Sequence, residues 1–102
     1  MILDIDVMQE NAQQAADLLK SLANPSRLLV LCALVSREHT VSELEELVGL
    51  SQSAVSQHLA RLRNEDIVST RREGQKIFYA LNDGNTRRIL ETMHGLYCPE
   101  IN

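Results

Sequence analysis

Two predicted helices separated by a three-residue turn constrain the fold of this chain most strongly. Thr40 and Glu43 have the spacing of a capping box, in which each side chain accepts a hydrogen bond from the backbone N–H of the other residue. The helix that begins there ends at Gly49, and Ser51 is suited to cap a second helix that runs to about Arg63. Two helices joined by a short, glycine-containing turn form a helix-turn-helix, whose second helix enters the major groove of DNA.

The second of these helices presents a neutral polar face. Its apolar residues Val55, Leu59 and Leu62 recur at helical spacing, and short hydrogen-bonding side chains occupy the remaining surface. Such side chains match the donors and acceptors of base edges better than long charged ones do. We predict that five residues read DNA: Gln52, Ser53, Ser56, Gln57 and His58. An ordinary surface helix rich in serine and glutamine is the alternative, and the helix alone leaves both interpretations open.

A predicted β-hairpin follows. After Asp66 the pattern changes from helical to alternating, which predicts strands at Ile67–Arg71 and Lys76–Leu81 with Arg72–Gln75 as the turn. We interpret the hairpin as a wing whose tip contacts a phosphate backbone or a minor groove. The predicted contact residues are Arg71, Arg72, Gln75 and Lys76. A solvent-exposed hairpin tip without a ligand is the alternative.

Three further helices are predicted around this unit. The first runs from Asn11 to Ala23, and the second, from Pro25 to Arg37, is apolar on nearly every side and therefore forms the hub of the core. The last, Asn85–Tyr97, carries an apolar stripe of Ile89, Leu90, Met93, Leu96 and Tyr97. We expect this stripe and the first helix to pair with a second copy across a two-fold axis. The predicted fold is mainly α with a small β-hairpin, a winged helix-turn-helix that dimerises through its first and last helices.

Length and composition are those of one small domain spanning residues 1–102. Hydrophobic residues make up 44% of the chain, and no apolar run approaches the ~18 residues of a membrane span. The amino-terminal segment holds Asp4, Asp6 and Glu10 and lacks the basic start of a secretory signal, so we expect a cytoplasmic protein that does not engage membranes. Nucleophile elbows, phosphate loops, paired-carboxylate sites and CxxC motifs are absent from the sequence, which predicts neither an enzyme nor a cofactor.

The net charge of −4 is unevenly distributed. Residues 1–50 hold eight acids and three bases (−5), residues 51–79 hold five bases and three acids (+2), and the remainder holds two bases and three acids (−1). The basic segment begins at the predicted reading helix. Phosphate contacts need local cations even when the whole protein is acidic, so this distribution favours DNA binding.

Three motifs in this order resemble the ArsR/SmtB family of winged-helix repressors. They are Leu22–Arg27, Leu50–Leu59 and Arg71–Gln75, and the similarity extends over nearly the whole chain. The resemblance implies a homodimer that binds operator DNA with inverted repeats and represses until an inducer loosens it.

Metal-sensing members of that family carry cysteines at the start of the third helix, where this sequence has Thr40, Val41 and Ser42. Other members bind zinc along the last helix. The matching stretch here offers Asp83, Asn85, His94 and Tyr97. Because asparagine and tyrosine are poor zinc ligands, we predict no metal site.

Two cysteines remain, Cys32 and Cys98. In a cytosolic protein, two cysteines so far apart in sequence are most often independent structural residues. One cysteine on the second helix and one at the last helix, however, is the pattern of the persulfide- and oxidant-sensing branch typified by BigR, SqrR and YgaV, and HlyU-type regulators look similar. This resemblance implies a disulfide or polysulfide bridge between Cys32 and Cys98 within one subunit.

The surroundings of the two thiols predict different reactivity. Cys98 lies near a terminus and is expected to react first, whereas the leucines around Cys32 should raise the pKa of its thiol. His94 lies one helical turn before Cys98 and either supports a thiolate or packs at an interface. His39, in a loop, is assigned no function.

Two other functions remain open at this stage. One is a metal- or metalloid-responsive repressor that uses Cys32, Cys98 and a third ligand such as His94. The other is a dimeric protein-interaction module that kept the winged helix without operator binding.

Overall fold

The computed structural model describes residues 4–82 and 84–98 and has the predicted mainly α architecture. In chain order the elements are α1 (Ile5–Leu22), α2 (Pro25–Ser36), α3 (Val41–Val48), α4 (Gln52–Asn64), β1 (Val68–Glu73), β2 (Lys76–Leu81) and α5 (Gly84–Tyr97). Five helices and one antiparallel hairpin form a winged helix-turn-helix, which confirms the predicted fold class.

Helix α1 begins well before the predicted Asn11. Asp4 caps it, because its side chain accepts a hydrogen bond from the Val7 backbone N–H at 3.2 Å. Of its 18 residues only Ser21 and Leu22 are buried, so most of α1 lies outside the subunit's own core. No single helix in the described part of the chain is long and apolar enough to cross a membrane; α1 and α2 meet those criteria only together, as a pair bent by 96°.

Helix α2 is the hub of the core, as predicted. Asn24 caps it by accepting from the Arg27 backbone N–H at 2.9 Å, and Pro25 occupies the first position, where its missing N–H costs nothing. The helix packs against α3, α4, α5 and β2. Its burial is not all-round, however: Val30, Leu31 and Leu34 are fully buried, whereas Leu29 is 52% exposed.

The helix-turn-helix has the predicted local structure. Both halves of the Thr40–Glu43 capping box are present, and Gly49 ends α3 with a φ of +70°, a left-handed conformation that favours glycine. Ser51 caps α4 by accepting from the Ala54 backbone N–H at 3.1 Å. Val55, Leu59 and Leu62 are buried and fix which face of α4 points outward.

The wing is a longer hairpin than predicted. β1 begins at Val68 and continues through Arg72 to Glu73, so the turn contains two residues rather than four. Glu73 pairs with Lys76, and Gly74 has a φ of +62°. The prediction of a four-residue turn was wrong. A two-residue turn with a left-handed residue matches the twist of the two strands, so Arg72 and Glu73 pair with β2.

The apolar stripe predicted on α5 is partly buried and partly exposed. Leu90 is fully buried in the subunit's own core, which corrects its assignment to a surface stripe. Leu96 and Tyr97 are 66% and 76% exposed. Leu90 lies on the side of α5 that faces α2. Leu96 and Tyr97, at the end of the helix, lie beyond that contact.

Candidate DNA-binding surface and thiol pair

The outward face of α4 carries four of the five predicted reading residues. Gln52, Ser53 and Gln57 are exposed, and Ser56 is half-buried beside them. The Gln52 amide donates to the Ser56 hydroxyl at 3.1 Å, so these two side chains orient one another. Amide and hydroxyl groups displayed in this way can donate to and accept from base edges.

His58 lies on the other flank of α4. At 3.6 residues per turn it is about 200° around the helix from Ser56, and it is half-buried. The pKa of its imidazole is lowered first by burial and then by the positive charges of Arg27 and Arg61, so the ring is held neutral. The structure therefore places His58 on a flank of α4, near the positive charges of Arg27 and Arg61. The other four residues lie on the exposed face.

Arg27 has a role that the sequence did not reveal. It is only 6% exposed, and its Nε donates to the Ser21 carbonyl in the last turn of α1. Arg27 thereby joins the start of α2 to the end of α1. The pKa of its guanidinium is lowered first by burial and then by the positive charge of Arg61 on α4. Its position three residues after the Asn24 cap indicated a helix start and gave no sign of burial.

The four predicted wing residues fall into two sets. Side chains alternate across a strand, so Arg71 and Lys76 share one face of the hairpin, while Arg72 lies on the other. Arg72 donates to the Gly74 carbonyl at 3.2 Å. Gln75 lies in the turn, and Lys76 is exposed without an ion-pair partner among the residues described.

Arg71 is held against the protein. Its Nε donates to Glu38 at 3.0 Å, and its guanidinium lies 4.7 Å from the centre of the Phe78 ring. The hydrogen bond from Arg71 lowers the pKa of the Glu38 carboxyl, and Glu38 in turn raises the pKa of Arg71. Glu38 already occupies Nε and Nη2 of Arg71, so Lys76 and Gln75 are the more available wing contacts.

The two thiols lie at the packed α2–α5 pair. Cys32 is half-buried on α2, and Cys98 is exposed directly after α5, where its backbone N–H donates to the His94 carbonyl at 2.7 Å. A pocket of about 390 Å³ opens beside Cys32. Its lining consists of Cys32, Val35, Ser36, Leu90, Glu91, His94 and Gly95.

The pKa of the Cys32 thiol is raised by two causes. Burial is the larger cause that raises the pKa of the Cys32 thiol, as the sequence predicted, and the negative charge that Cys98 can carry is the second. The fold thus places the two cysteines on, and directly after, two helices that pack against each other.

A metal centre has less support. Among residues 4–82 and 84–98, no group of three or more histidine, cysteine, aspartate or glutamate side chains is arranged to hold a metal ion. Cys32, Cys98 and His94 thus do not form a preorganised three-ligand set. Asp83, considered as a zinc ligand from the sequence, lies outside those ranges.

Comparison with known proteins extends these observations. The family model described as "Bacterial regulatory protein, arsR family" matches residues 24–70, from the α2 cap into β1. The transcriptional activator HlyU of Vibrio cholerae is 44% identical over 94% of this chain and 89% of its own length. The chain belongs to the ArsR family. The regulator YgaV of Escherichia coli K12 is 43% identical over 90% of this chain and 94% of its own.

Solved structures of ArsR-family relatives have the same fold. The repressor BigR from Xylella fastidiosa superposes with a TM-score of 0.88 at 36% identity, covering 94% of this chain and 98% of that one. Reduced HlyU from Vibrio cholerae gives 0.84 at 46% identity, covering 89% and 96%. HlyU, YgaV and BigR are the relatives that the sequence motifs indicated, which confirms the resemblance. All three are named as regulators of transcription, so the ArsR-family chain is a regulator of the DNA-binding, winged-helix kind.

Proposed function

We propose that this ArsR-family regulator is a cytoplasmic, homodimeric repressor that leaves its operator when Cys32 and Cys98 of one subunit become linked. The observation that carries the proposal is the placement of a half-buried thiol on α2 and an exposed thiol at the end of α5, two helices that pack against each other. Persulfides and other oxidants are the proposed inducers. The exposed, neutral face of α4 and the wing supply the proposed operator contacts.

The proposed chemistry begins at the accessible thiol. The Cys98 thiolate attacks the outer sulfur of a low-molecular-weight persulfide, a new S–S bond forms, and the donor leaves as a thiolate. The Cys32 thiolate then attacks the Cys98 Sγ and expels hydrosulfide, which leaves a disulfide. The two cysteine sulfurs together lose two electrons, and the transferred sulfur gains them.

Two variants of this sequence give related products. If Cys32 also carries a persulfide, its outer sulfur attacks the Cys98 Sγ, hydrosulfide leaves, and the bridge contains three sulfurs. With a peroxide, Cys98 becomes a sulfenic acid as hydroxide leaves, and attack by Cys32 expels a second hydroxide. Each route ends in a covalent link between α2 and α5.

Homodimer formation is supported by the apolar surface that one subunit leaves uncovered. Exposed large hydrophobic residues concentrate on α1 and at the end of α5: Ile5, Val7, Met8, Leu19, Leu96 and Tyr97. An open groove of about 1350 Å³ runs between these helices. A monomer rarely exposes a contiguous apolar surface of this kind, whereas a two-fold axis would cover it and repeat α4 at successive major grooves.

A bridge between Cys32 and Cys98 would alter that repeat. α5 contributes to the proposed dimer surface, and α2 supports both α3 and α4. A link that changes the angle between α2 and α5 would therefore change the separation of the two reading helices. A coupling free energy of about 1–3 kcal/mol is enough for a graded switch.

Fluorescence anisotropy on the protein's own promoter DNA tests the proposal. We expect the reduced protein to bind, a persulfide to release it, and dithiothreitol to restore binding. Cys98→Ser and Cys32→Ser should bind as the reduced protein does and resist release. Release of the wild type by stoichiometric zinc or arsenite, with no response to persulfide, would instead identify a metal- or metalloid-responsive repressor. Failure of the reduced protein to bind promoter DNA would favour the protein-interaction module.

A further inference from the structure

A buried histidine joins the thiol helix to the DNA-binding elements. His39 lies in the loop between α2 and α3 and is only 2% exposed. Its ring nitrogen Nε2 lies 3.1 Å from the carbonyl oxygen of Ala33, the residue next to Cys32 on α2. Its Nδ1 lies 3.2 Å from the Glu43 carboxylate, which belongs to the capping box of α3. One side chain thus contacts both helices.

The backbone of the same residue holds the wing. The His39 N–H donates to the Tyr79 carbonyl at 3.0 Å, and the Tyr79 N–H donates to the His39 carbonyl at 2.8 Å, which forms an isolated β-bridge to β2. The neighbouring Glu38 binds Arg71 of β1. The α2–α3 loop is therefore tied to both strands of the wing.

The two groups that contact the His39 ring are both hydrogen-bond acceptors. A carbonyl oxygen only accepts, so Nε2 donates to Ala33. The pKa of Glu43 is lowered, first by the backbone hydrogen bond from Thr40 and then by His39 and Arg37, so its carboxylate is ionised and accepts as well. Both ring nitrogens thus lie against hydrogen-bond acceptors, one on α2 and one on α3.

The end of α2 is also tied to α5. Arg87 Nη1 donates to the carbonyl of Val35, two residues after Ala33. A change in the angle between α2 and α5 therefore acts on the same turn of α2 that His39 grips. We infer that His39 is a positioning residue that transmits movement of α2 beside Cys32 to α3 and the wing. The inference rests on the proposed thiol switch for its natural trigger, but the contacts can be tested without it.

Two substitutions separate the contacts. The amide nitrogen of glutamine can occupy the place of Nε2, so His39→Gln keeps the link to Ala33 and loses the link to Glu43. The amide nitrogen of asparagine can occupy the place of Nδ1, so His39→Asn does the reverse. The Ala33 carbonyl keeps the Ser36 hydroxyl, which donates to it at 3.1 Å, so His39→Asn leaves no buried acceptor unsatisfied. Circular dichroism melting verifies that both variants fold.

The first experiment perturbs α2 directly. In a Cys98→Ser background, Cys32 is alkylated with iodoacetamide, and hydrogen exchange of the Tyr79 and Leu44 amides is measured. Alkylation should speed exchange at both sites by about 2- to 30-fold with His39, and at Tyr79 alone with His39→Gln, which lacks the contact to Glu43 of α3. It should have no effect with His39→Asn. Exchange that does not change on alkylation with His39 present, or that changes equally with Asn and Gln, overturns the inference.

The second experiment connects the relay to DNA. The ratio of operator affinities before and after persulfide treatment should fall by about 2- to 30-fold in His39→Asn, which loses the contact to α2, and by less in His39→Gln, which keeps it. If the wild type shows no change in affinity on treatment, the thiol proposal fails, and the hydrogen-exchange result still decides the inference. Equal ratios in all three proteins would contradict it.

Discussion

At the residue scale, the proposed DNA contacts divide between neutral side chains of α4 and cations of the wing. Gln57 is exposed at the centre of the outward face, whereas Lys76 is exposed beside the hairpin turn. Glutamine offers an amide to a base edge, and lysine offers only charge to a phosphate. The two residues should therefore affect different properties of binding.

We expect Gln57→Ala to weaken operator binding, by about 1–3 kcal/mol, with little effect on random DNA. Lys76→Ala should weaken binding to both and reduce the slope of log affinity against log salt by about 1. Titrations of operator and random duplexes at several salt concentrations measure both effects. Equal losses on the two duplexes for both variants would contradict this division.

The Cys32 thiol should ionise at higher pH than an exposed cysteine. Its pKa is raised chiefly by burial, so in a Cys98→Ser background, which removes the smaller contribution of Cys98, the midpoint of its alkylation rate against pH should still lie above the ordinary thiol value. The folded state favours the protonated thiol, so this contribution to stability is full below the unfolded pKa and is lost as the pH rises through the folded pKa. Cys32→Ala should lack this alkaline loss in urea unfolding. An alkylation midpoint at or below the ordinary thiol pKa would refute the burial argument.

Residues whose role is local were predictable, and residues whose role is tertiary were not. The caps at Asn24, Thr40 and Ser51 depend on the next three residues, so spacing alone revealed them. Glu38 and Arg71 are 33 positions apart, and nothing in either neighbourhood predicts their contact. His39 was assigned no function for the same reason: its partners on α2, α3 and β2 meet only after folding.

At the element scale, the α2–α5 pair determines access to Cys32. Gly95 lines the pocket beside this thiol, and a Cβ added at Gly95 would meet no atom within 4 Å. A larger side chain at this position can therefore enter the pocket without a clash, and the loss of a helical glycine favours the helix.

Gly95→Leu should slow alkylation of Cys32 by iodoacetamide while leaving Cys98 unaffected, because leucine fills the space through which the reagent approaches. We expect a reduction of about tenfold, equivalent to about 1.4 kcal/mol in the barrier. Gly84→Ala, a substitution at another open glycine of α5, is the control. Mass spectrometry of quenched time points gives both rates. An unchanged Cys32 rate in Gly95→Leu would show that reagents reach this thiol by another path.

Element types were predictable because the hydrophobic period changes where the structure changes. Element ends were less so: α1 begins at its Asp4 cap, and β1 extends to Glu73 because a two-residue turn suffices. The stripe on α5 was read as one surface, but Leu90 turns into the core while Leu96 does not. Periodicity identifies an apolar face and cannot say which part of it the subunit itself covers.

At the scale of the whole molecule, α1 and the end of α5 leave apolar side chains exposed, and we propose that a second copy covers them. Met8 lines the groove between these helices and is 51% exposed, whereas the adjacent Gln9 is exposed outside the groove lining. A charge at Met8 would be buried twice in a two-fold interface.

Met8→Glu should therefore raise the dimer dissociation constant by about tenfold or more, and Gln9→Glu should change it little. Sedimentation equilibrium over a range of protein concentrations measures both constants. Operator affinity should fall in parallel with dimerisation for Met8→Glu. A wild-type protein that sediments as a monomer at all concentrations would contradict the dimer proposal.

The thiol switch is tested most directly by measuring crosslinking and DNA release in the same samples. Intact mass spectrometry of a persulfide time course gives the fraction of subunits in which Cys32 and Cys98 are linked, either by loss of two hydrogens or with added sulfur. Anisotropy gives the fraction of operator released. We predict that the two fractions rise together and that dithiothreitol reverses both. Release that is complete while the subunits remain unlinked, or full linkage with the operator still bound, would contradict the proposed switch.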